Sequence, residues 1–224
     1  MNEVEKIKRN KEGLIIPHGG QLKELFIEDQ NLKESLLSEI KYEHECSERN
    51  ACDVELLIIG AFSPLNGFMH EDEYISVIKN HRNKNGLLFG LPIVLDTNNN
   101  EIKKGDKVLL TYRGQSLAIL EVESKWEPDK SSEAKYCYGT NSLDHPAVKM
   151  IFHERGKFYL GGKIYGIEIP KRDFPCESPS KVRSSLPANY DVVAFQCRNP
   201  IHRAHYELFT NALKSENVSP SSIV

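Results

Sequence analysis

Residues 196 to 209 read QCRNPIHRAHYELF and gather two histidines, two arginines, an asparagine and a glutamine into their first ten positions. Asn199-Pro200 suits a helix start, with Asn199 as the cap and Pro200 at the first helical position, where its missing N–H costs nothing. His202 and His205, three apart, then share one face of the opening turns. Open backbone N–H groups and the positive end of the helix dipole beside them make a place for phosphate. Arg198 adds a planar fork that can grip a tetrahedral oxyanion through two hydrogen bonds. Gln196 offers an uncharged donor at the tip of the preceding strand. Cys197 fits a packing or hydrogen-bonding role better than a nucleophile's, since no carbonyl substrate is implied. Its place beside Arg198 and a helix amino end is nevertheless one that can activate a thiol.

Two histidines can also hold a metal, but the zinc-protease pattern needs a spacing of four and an intervening Glu. Neither is present, so no protein-bound metal is expected. Histidines on a helix also commonly end half-buried in packing. Packing alone does not call for Gln, Arg, Asn and two His at one helix start, and an anion site is the expectation.

The elements that must position this cluster follow from the rest of the chain. Its 224 residues can bury a sizeable core, and 39% hydrophobic with 27% charged residues is ordinary for a folded protein. A formal charge of −3 argues against a general binder of nucleic acid or anionic membrane. The opening MNEVEKIKRNKEG lacks the apolar core of a signal peptide, and the longest apolar runs, such as LLIIGAF, are too short to span a bilayer. The five cysteines (Cys46, Cys52, Cys137, Cys176 and Cys197) form no C-x-x-C pair. His44, Cys46 and Cys52 lack a fourth clustered ligand, so reduced thiols in a cytoplasmic protein are expected.

From Leu22 to Glu45 the apolar spacing is helical, and a second helical pattern follows the turn signals Ser63-Pro64 and Asn66-Gly67. LLFGLPIVLD and KVLLTYRGQSLAILEVESKW, divided by the polar turn TNNNEIKKGD, read as antiparallel hairpins, and FYLGGKIYGIEI as another strand pair joined through Gly161-Gly162. Residues 1–168 are therefore expected to form one mixed domain with a β core. Residues 169–190 are Pro- and Ser-rich and read as a linker. DVVAFQ then predicts a short strand, and IHRAHYELFTNALKSE a helix. After the turn NVSPSS, Ile223-Val224 suggests a second strand that barely begins. Strand, helix and strand open a βαβ unit, which implies that residues 191–224 are the incomplete beginning of a further domain and the chain a fragment.

QCRNPIHRAH resembles the signature of the ATP sulfurylase (sulfate adenylyltransferase) family, in which a strand ends in Gln-Thr-Arg-Asn-Pro and a helix opens with His-x-x-His. PHGGQL (17–22), GAFSPLNGFM (60–69), LDHPAV (143–148) and YLGGKI (159–164) resemble stretches of that family in the same order. The resemblance implies an α+β to α/β chain: a PUA-like β-rich domain, then the first βα unit of a Rossmann-like nucleotidyltransferase domain. It implies attack of sulfate on the α-phosphorus of MgATP, giving adenosine 5′-phosphosulfate and pyrophosphate without a covalent intermediate. Mg2+ enters only as MgATP. By the same resemblance Gln196 and Arg198 hold sulfate, while Gln196, Cys197, Arg198, Asn199, His202 and His205 border ATP. Cys197, Arg198, Asn199, His202 and His205 form the catalytic set. A homo-oligomer is expected, with neither nucleic acid nor membrane as partner.

Two departures bear on these expectations. Cys197 stands where the family commonly has Thr, exchanging a good hydroxyl donor for a weak thiol. The family's later Gly-Arg-Asp-His-type nucleotide loop is not among these residues, so the isolated chain is expected to be nearly inactive. Competing readings are another His-x-x-His adenylyltransferase with a different acceptor, and an RNA-binding module built on the PUA-like part.

Overall fold

From Gln30 onward the chain alternates short helices and strands: α1 (Gln30–Ser38), β1 (Ile40–Glu45), α2 (Glu48–Ile58), β2 (Gly67–Phe68), α3 (Glu71–Asn80), β3 (Leu95–Thr97), β4 (Lys107–Tyr112), β5 (Gln115–Trp126), α4 (Lys130–Tyr138), α5 (Pro146–His153), β6 (Phe158–Gly166), α6 (Pro179–Ser185) and α7 (Arg203–Leu213). The structure, a computed structural model, describes residues 8–174, 176–195 and 197–215. The chain divides into two compact units, Leu22–Ser178 and Met1–Gln21 with Pro179–Val224.

The larger unit is built on a six-stranded mixed sheet in the order β1-β4-β5-β6-β2, with β3 also paired to β6. Only β1 and β4 run parallel; the other pairs are antiparallel. The β4–β5 hairpin turns through Arg113-Gly114, both at positive φ (50° and 78°), the two-residue geometry that matches the twist of paired strands. Side chains set several helix starts. Asp29 accepts from Asn31 and Leu32 ahead of α1, Ser47 from Asn50 ahead of α2, and Asp129 from Ser131 and Ser132 ahead of α4. Pro146 opens α5 at a position where no N–H is needed.

Several elements differ from the sequence reading. The helical pattern over residues 22–45 divides into α1 and the strand β1, whose alternating half-buried and exposed residues follow the two-residue strand period. LLFGLPIVLD contributes to β3 only its last two residues, Leu95 and Asp96. FYLGGKIYGIEI is not a strand pair: Phe158–Gly166 is one continuous strand. Its glycines serve close approach rather than a turn. A Cβ on Gly67 would stand 2.1 Å from the Gly162 carbonyl oxygen, and one on Gly161 2.2 Å from that of Met69. The stretches GAFSPLNGFM and YLGGKI therefore meet where β2 pairs with β6.

Leu57, Ile58, Val77, Leu110, Leu120 and Leu160 fill the core of this unit. Within it sits a polar cluster. Glu133, 1% exposed, accepts from Tyr74 (3.0 Å) and Tyr159 (2.9 Å) through Oε2 and pairs with Arg155 at 2.7 Å through Oε1. Arg155 also donates to the Tyr159 hydroxyl at 2.8 Å. The rings of Tyr74, Trp126 and Tyr159 pack on one another with centroids 5.5–5.8 Å apart. Burial raises the pKa of both tyrosines. Burial also pulls the Arg155 pKa down, but Tyr159 and Glu133 outweigh it and hold the guanidinium charged.

In the smaller unit DVVAFQ does not form a strand over its described residues; Val192 alone makes a bridge. Within the stretch read as a linker, Pro179–Ser185 forms α6. Ile223-Val224 lies outside the described residues.

Candidate functional site

The site is built around the amino end of α7. The helix begins at Arg203, not at Asn199-Pro200 as the capping pattern predicts. The physical reason lies at His202, whose backbone is extended (φ −120°, ψ 175°) and so cannot belong to the helix. His202 is the cap residue, and its carbonyl accepts from Tyr206 N at 3.1 Å. Its side chain makes no capping hydrogen bond, so the first-turn N–H groups remain open to an anion, with no acidic residue in that turn.

Placing His202 before the helix brings its ring onto that of His205. The two imidazoles stack with centroids 3.8 Å apart and planes 29° apart. Among the described residues His205 Nδ1 is buried without a hydrogen-bond partner, which leaves Nε2 as the ring nitrogen for a ligand. Behind His205 lies Phe195, 5.4 Å away by ring centroid, and Phe195 also packs on Phe209 at 5.9 Å. Phe195 is the site residue that the motif does not disclose. Its only advance sign is an aromatic in the apolar run DVVAFQ, and nothing in the spacing links positions 195 and 205.

The residues before the helix are presented differently. Cys197, Arg198 and Asn199 are all exposed. The Cys197 thiol donates to the Asn199 carbonyl at 3.1 Å, closing a local turn. The Arg198 guanidinium makes no hydrogen bond or ion pair among the described residues, and so stands available to an anion. No hydrogen bond or ring contact joins the Cys197–Asn199 stretch to the histidine pair among the described residues. Gln196 lies outside them.

Elsewhere, Cys46 is buried, and that burial pushes its thiol up to about 12, so it is inert as a nucleophile or ligand at neutral pH. Cys52 instead accepts from Arg172 at 3.5 Å. Among the described residues no group of three or more His, Cys, Asp or Glu is placed to hold a metal ion. Nor is any described helix long and apolar enough to cross a membrane.

Comparison with known proteins divides the chain similarly. A family model described as PUA-like domain matches residues 15–169, and one described as ATP-sulfurylase matches residues 176–223. The chain is 44% identical over 207 residues to a sulfate adenylyltransferase of Schizosaccharomyces pombe, a match covering 86% of this chain and 42% of that protein. It is 36% identical over 214 residues to the sulfate adenylyltransferase of Saccharomyces cerevisiae, covering 90% and 42%. Among solved structures, a hexameric APS kinase from Thiobacillus denitrificans superposes with a TM-score of 0.66 at 26% identity, over 90% of this chain and 37% of that one. The chain thus spans about two-fifths of the length of these relatives.

Proposed function

The chain belongs to the ATP sulfurylase family, with its PUA-like domain and the start of its ATP-sulfurylase domain, and on that premise we propose that it serves sulfate adenylyltransfer. In this reaction a sulfate oxygen attacks the α-phosphorus of MgATP directly, giving adenosine 5′-phosphosulfate and pyrophosphate, the first step of sulfate activation. The reaction belongs to the protein at the length its relatives have. This chain supplies the part of the site between Gln196 and His205.

The observation that carries the reading is the uncapped start of α7, where stacked His202 and His205 and the unpaired Arg198 lie within the segment matched to ATP-sulfurylase. Sulfate is a weak nucleophile with nothing to lose to a base at neutral pH, so the work is positioning and charge stabilisation. Gln196 and Arg198 hold sulfate. Asn199, Cys197 and the open N–H groups of α7 border the nucleotide, and His202 with His205 Nε2 meet charge developing on its phosphates. Cys197, tied to Asn199, shapes the turn rather than attacking. The setting is cytoplasmic, in keeping with five free thiols, and the assembly is a homo-oligomer.

The test is pyrophosphate release from MgATP, with and without sulfate, by a protein that carries this chain and spans the full length of its relatives. Release is expected to require sulfate and to fall about a hundredfold in Arg198→Ala, the usual cost of one transition-state donor. Release that needs a different acceptor would move the chain to another His-x-x-His adenylyltransferase. Salt-sensitive binding of RNA, with no release, would favour the PUA-like part as an RNA module.

A further inference from the structure

Residues 8–14 precede the span matched by either family model, yet they are bound into the unit that carries the site. Arg9 and Ile15 form an antiparallel bridge, Asn10 N donates to Leu14 O at 2.8 Å, and the Asn10 side chain accepts from Glu12 and Leu14 N–H. Gly13, at φ 77°, closes this tight loop. The loop grips residues 189–191, some 180 positions later. Asn189 N donates to Gly13 O at 2.9 Å. Arg9 Nη1 donates to Gly13 O (3.0 Å) and Tyr190 O (2.8 Å), and its Nη2 pairs with the carboxylate of Asp191, which is buried. The fit leaves no slack: a Cβ on Gly13 would stand 2.7 Å from Asn189 Oδ1, and Asn189 itself is left-handed at φ 64°.

We propose that Arg9 is a positioning residue for the candidate site, anchoring Tyr190 and Asp191 so that the chain running on through Phe195 delivers the histidine pair and the Cys197–Asn199 stretch in a fixed place. Asp191 to Phe195 is only four residues. One end is held by the Arg9 guanidinium, a planar multi-donor that Lys cannot copy. The other is held by the Phe195 ring against His205 and Phe209. Between them, among the described residues, only Val192 makes a bridge, so the two ends carry the placement of this stretch. Loss of the anchor is therefore felt at the Phe195–His205 contact. This inference rests on the site reading only in taking residues 197–205 as what is being positioned.

The experiment follows the imidazole resonances of His202 and His205 by NMR in the full chain, together with amide hydrogen exchange. Stacked rings 3.8 Å apart shift each other's resonances strongly, so these signals report the geometry itself. In Arg9→Ala both imidazole signals are expected to move, and exchange over residues 189–195 to quicken about tenfold to a hundredfold, the usual effect of losing a charge-assisted contact. Exchange in β5 should not change. Arg9→Lys, which keeps the charge but not the fork, should restore the signals in part. Gly13→Ala keeps the guanidinium but displaces Asn189, and should move the same signals, which covers the case in which Arg9→Ala fails to fold. Unmoved imidazole signals in either folded variant, whatever happens at residues 189–191, would reduce the loop to a surface clasp and overturn the proposal. If the signals move while a protein carrying this chain at the full length of its relatives releases no pyrophosphate, the positioning role stands and the assigned reaction falls.

Discussion

In the unit Leu22–Ser178, Glu133 is ringed by Arg155, Tyr74 and Tyr159 deep in a packed core. Around the start of α7, in contrast, no residue of the helix is buried, and Arg198 stands exposed and, among the described residues, unpaired. The two regions use similar groups, arginine and hydrogen-bonding rings, to opposite ends. In the first, both carboxylate oxygens of Glu133 and the Nη1 of Arg155 are engaged by protein partners, and the charge serves the fold. In the second, donors are left without partners, which stability never rewards and anion binding requires. The difference is what supports the proposal that the second region is the functional one, without appeal to any motif.

Breaking the buried cluster should give the largest effect on stability. Glu133→Gln leaves the Arg155 guanidinium buried without its carboxylate, and removal of one partner from a buried pair costs roughly 3–5 kcal/mol. The urea midpoint should fall accordingly. The double variant Glu133→Leu with Arg155→Met removes both charges and should recover much of that loss. If the single and double variants lose the same stability, the cluster contributes only packing, and its likeness to the paired charges of other cores is superficial.

A smaller effect is expected at Asp53 on α2. Burial pushes its carboxyl up to about 6, against the pull of Arg155 and Arg49. Because this lies above the unfolded value, the fold favours the protonated acid. That contribution is fully present below about pH 4 and is lost as pH rises through about 6. Asp53→Asn cannot ionise and keeps it. The variant should therefore match the parent near pH 4 and be more stable at pH 7.5 by about 1–2 kcal/mol, a discounted share of the full shift. Denaturation at the two pH values decides it, and a gain that does not grow with pH would remove Asp53 from the set of charges the fold works against.

How much of this was legible beforehand depended on whether the signal was local. The β4–β5 hairpin was, because its alternation and its two-residue turn lie within 20 residues. The split of residues 22–45 was not: the Lys- and Glu-rich spacing there suits a helix, and only the alternation of Ile40, Tyr42 and His44 marks the strand. Gly161-Gly162 looked like a turn because the backbones crowding it come from β2 and β5, distant in sequence. At the site the residue types were legible and their arrangement was not. Asn199 has the composition of a cap, but the extended His202 delays the helix and creates the ring stack. Phe195 and Arg9 act through partners 10 and about 180 residues away, a distance over which no spacing rule reaches.

The smallest effect on stability, and the sharpest use of the comparison, is expected at Arg198. It is exposed and holds no partner among the described residues, so Arg198→Ala should leave the unfolding free energy from urea titration within about 0.5 kcal/mol of the parent, as surface changes do. Its loss should instead appear as a fall in sulfate-dependent turnover with the fold intact, the reverse of what Glu133→Gln produces. A site residue is thus recognised by the separation of the two measurements. If Arg198→Ala destabilised the protein by as much as 2 kcal/mol, the guanidinium would have a structural partner in the working protein, and the oxyanion would have to be held by the open N–H groups of α7 and the histidine pair instead.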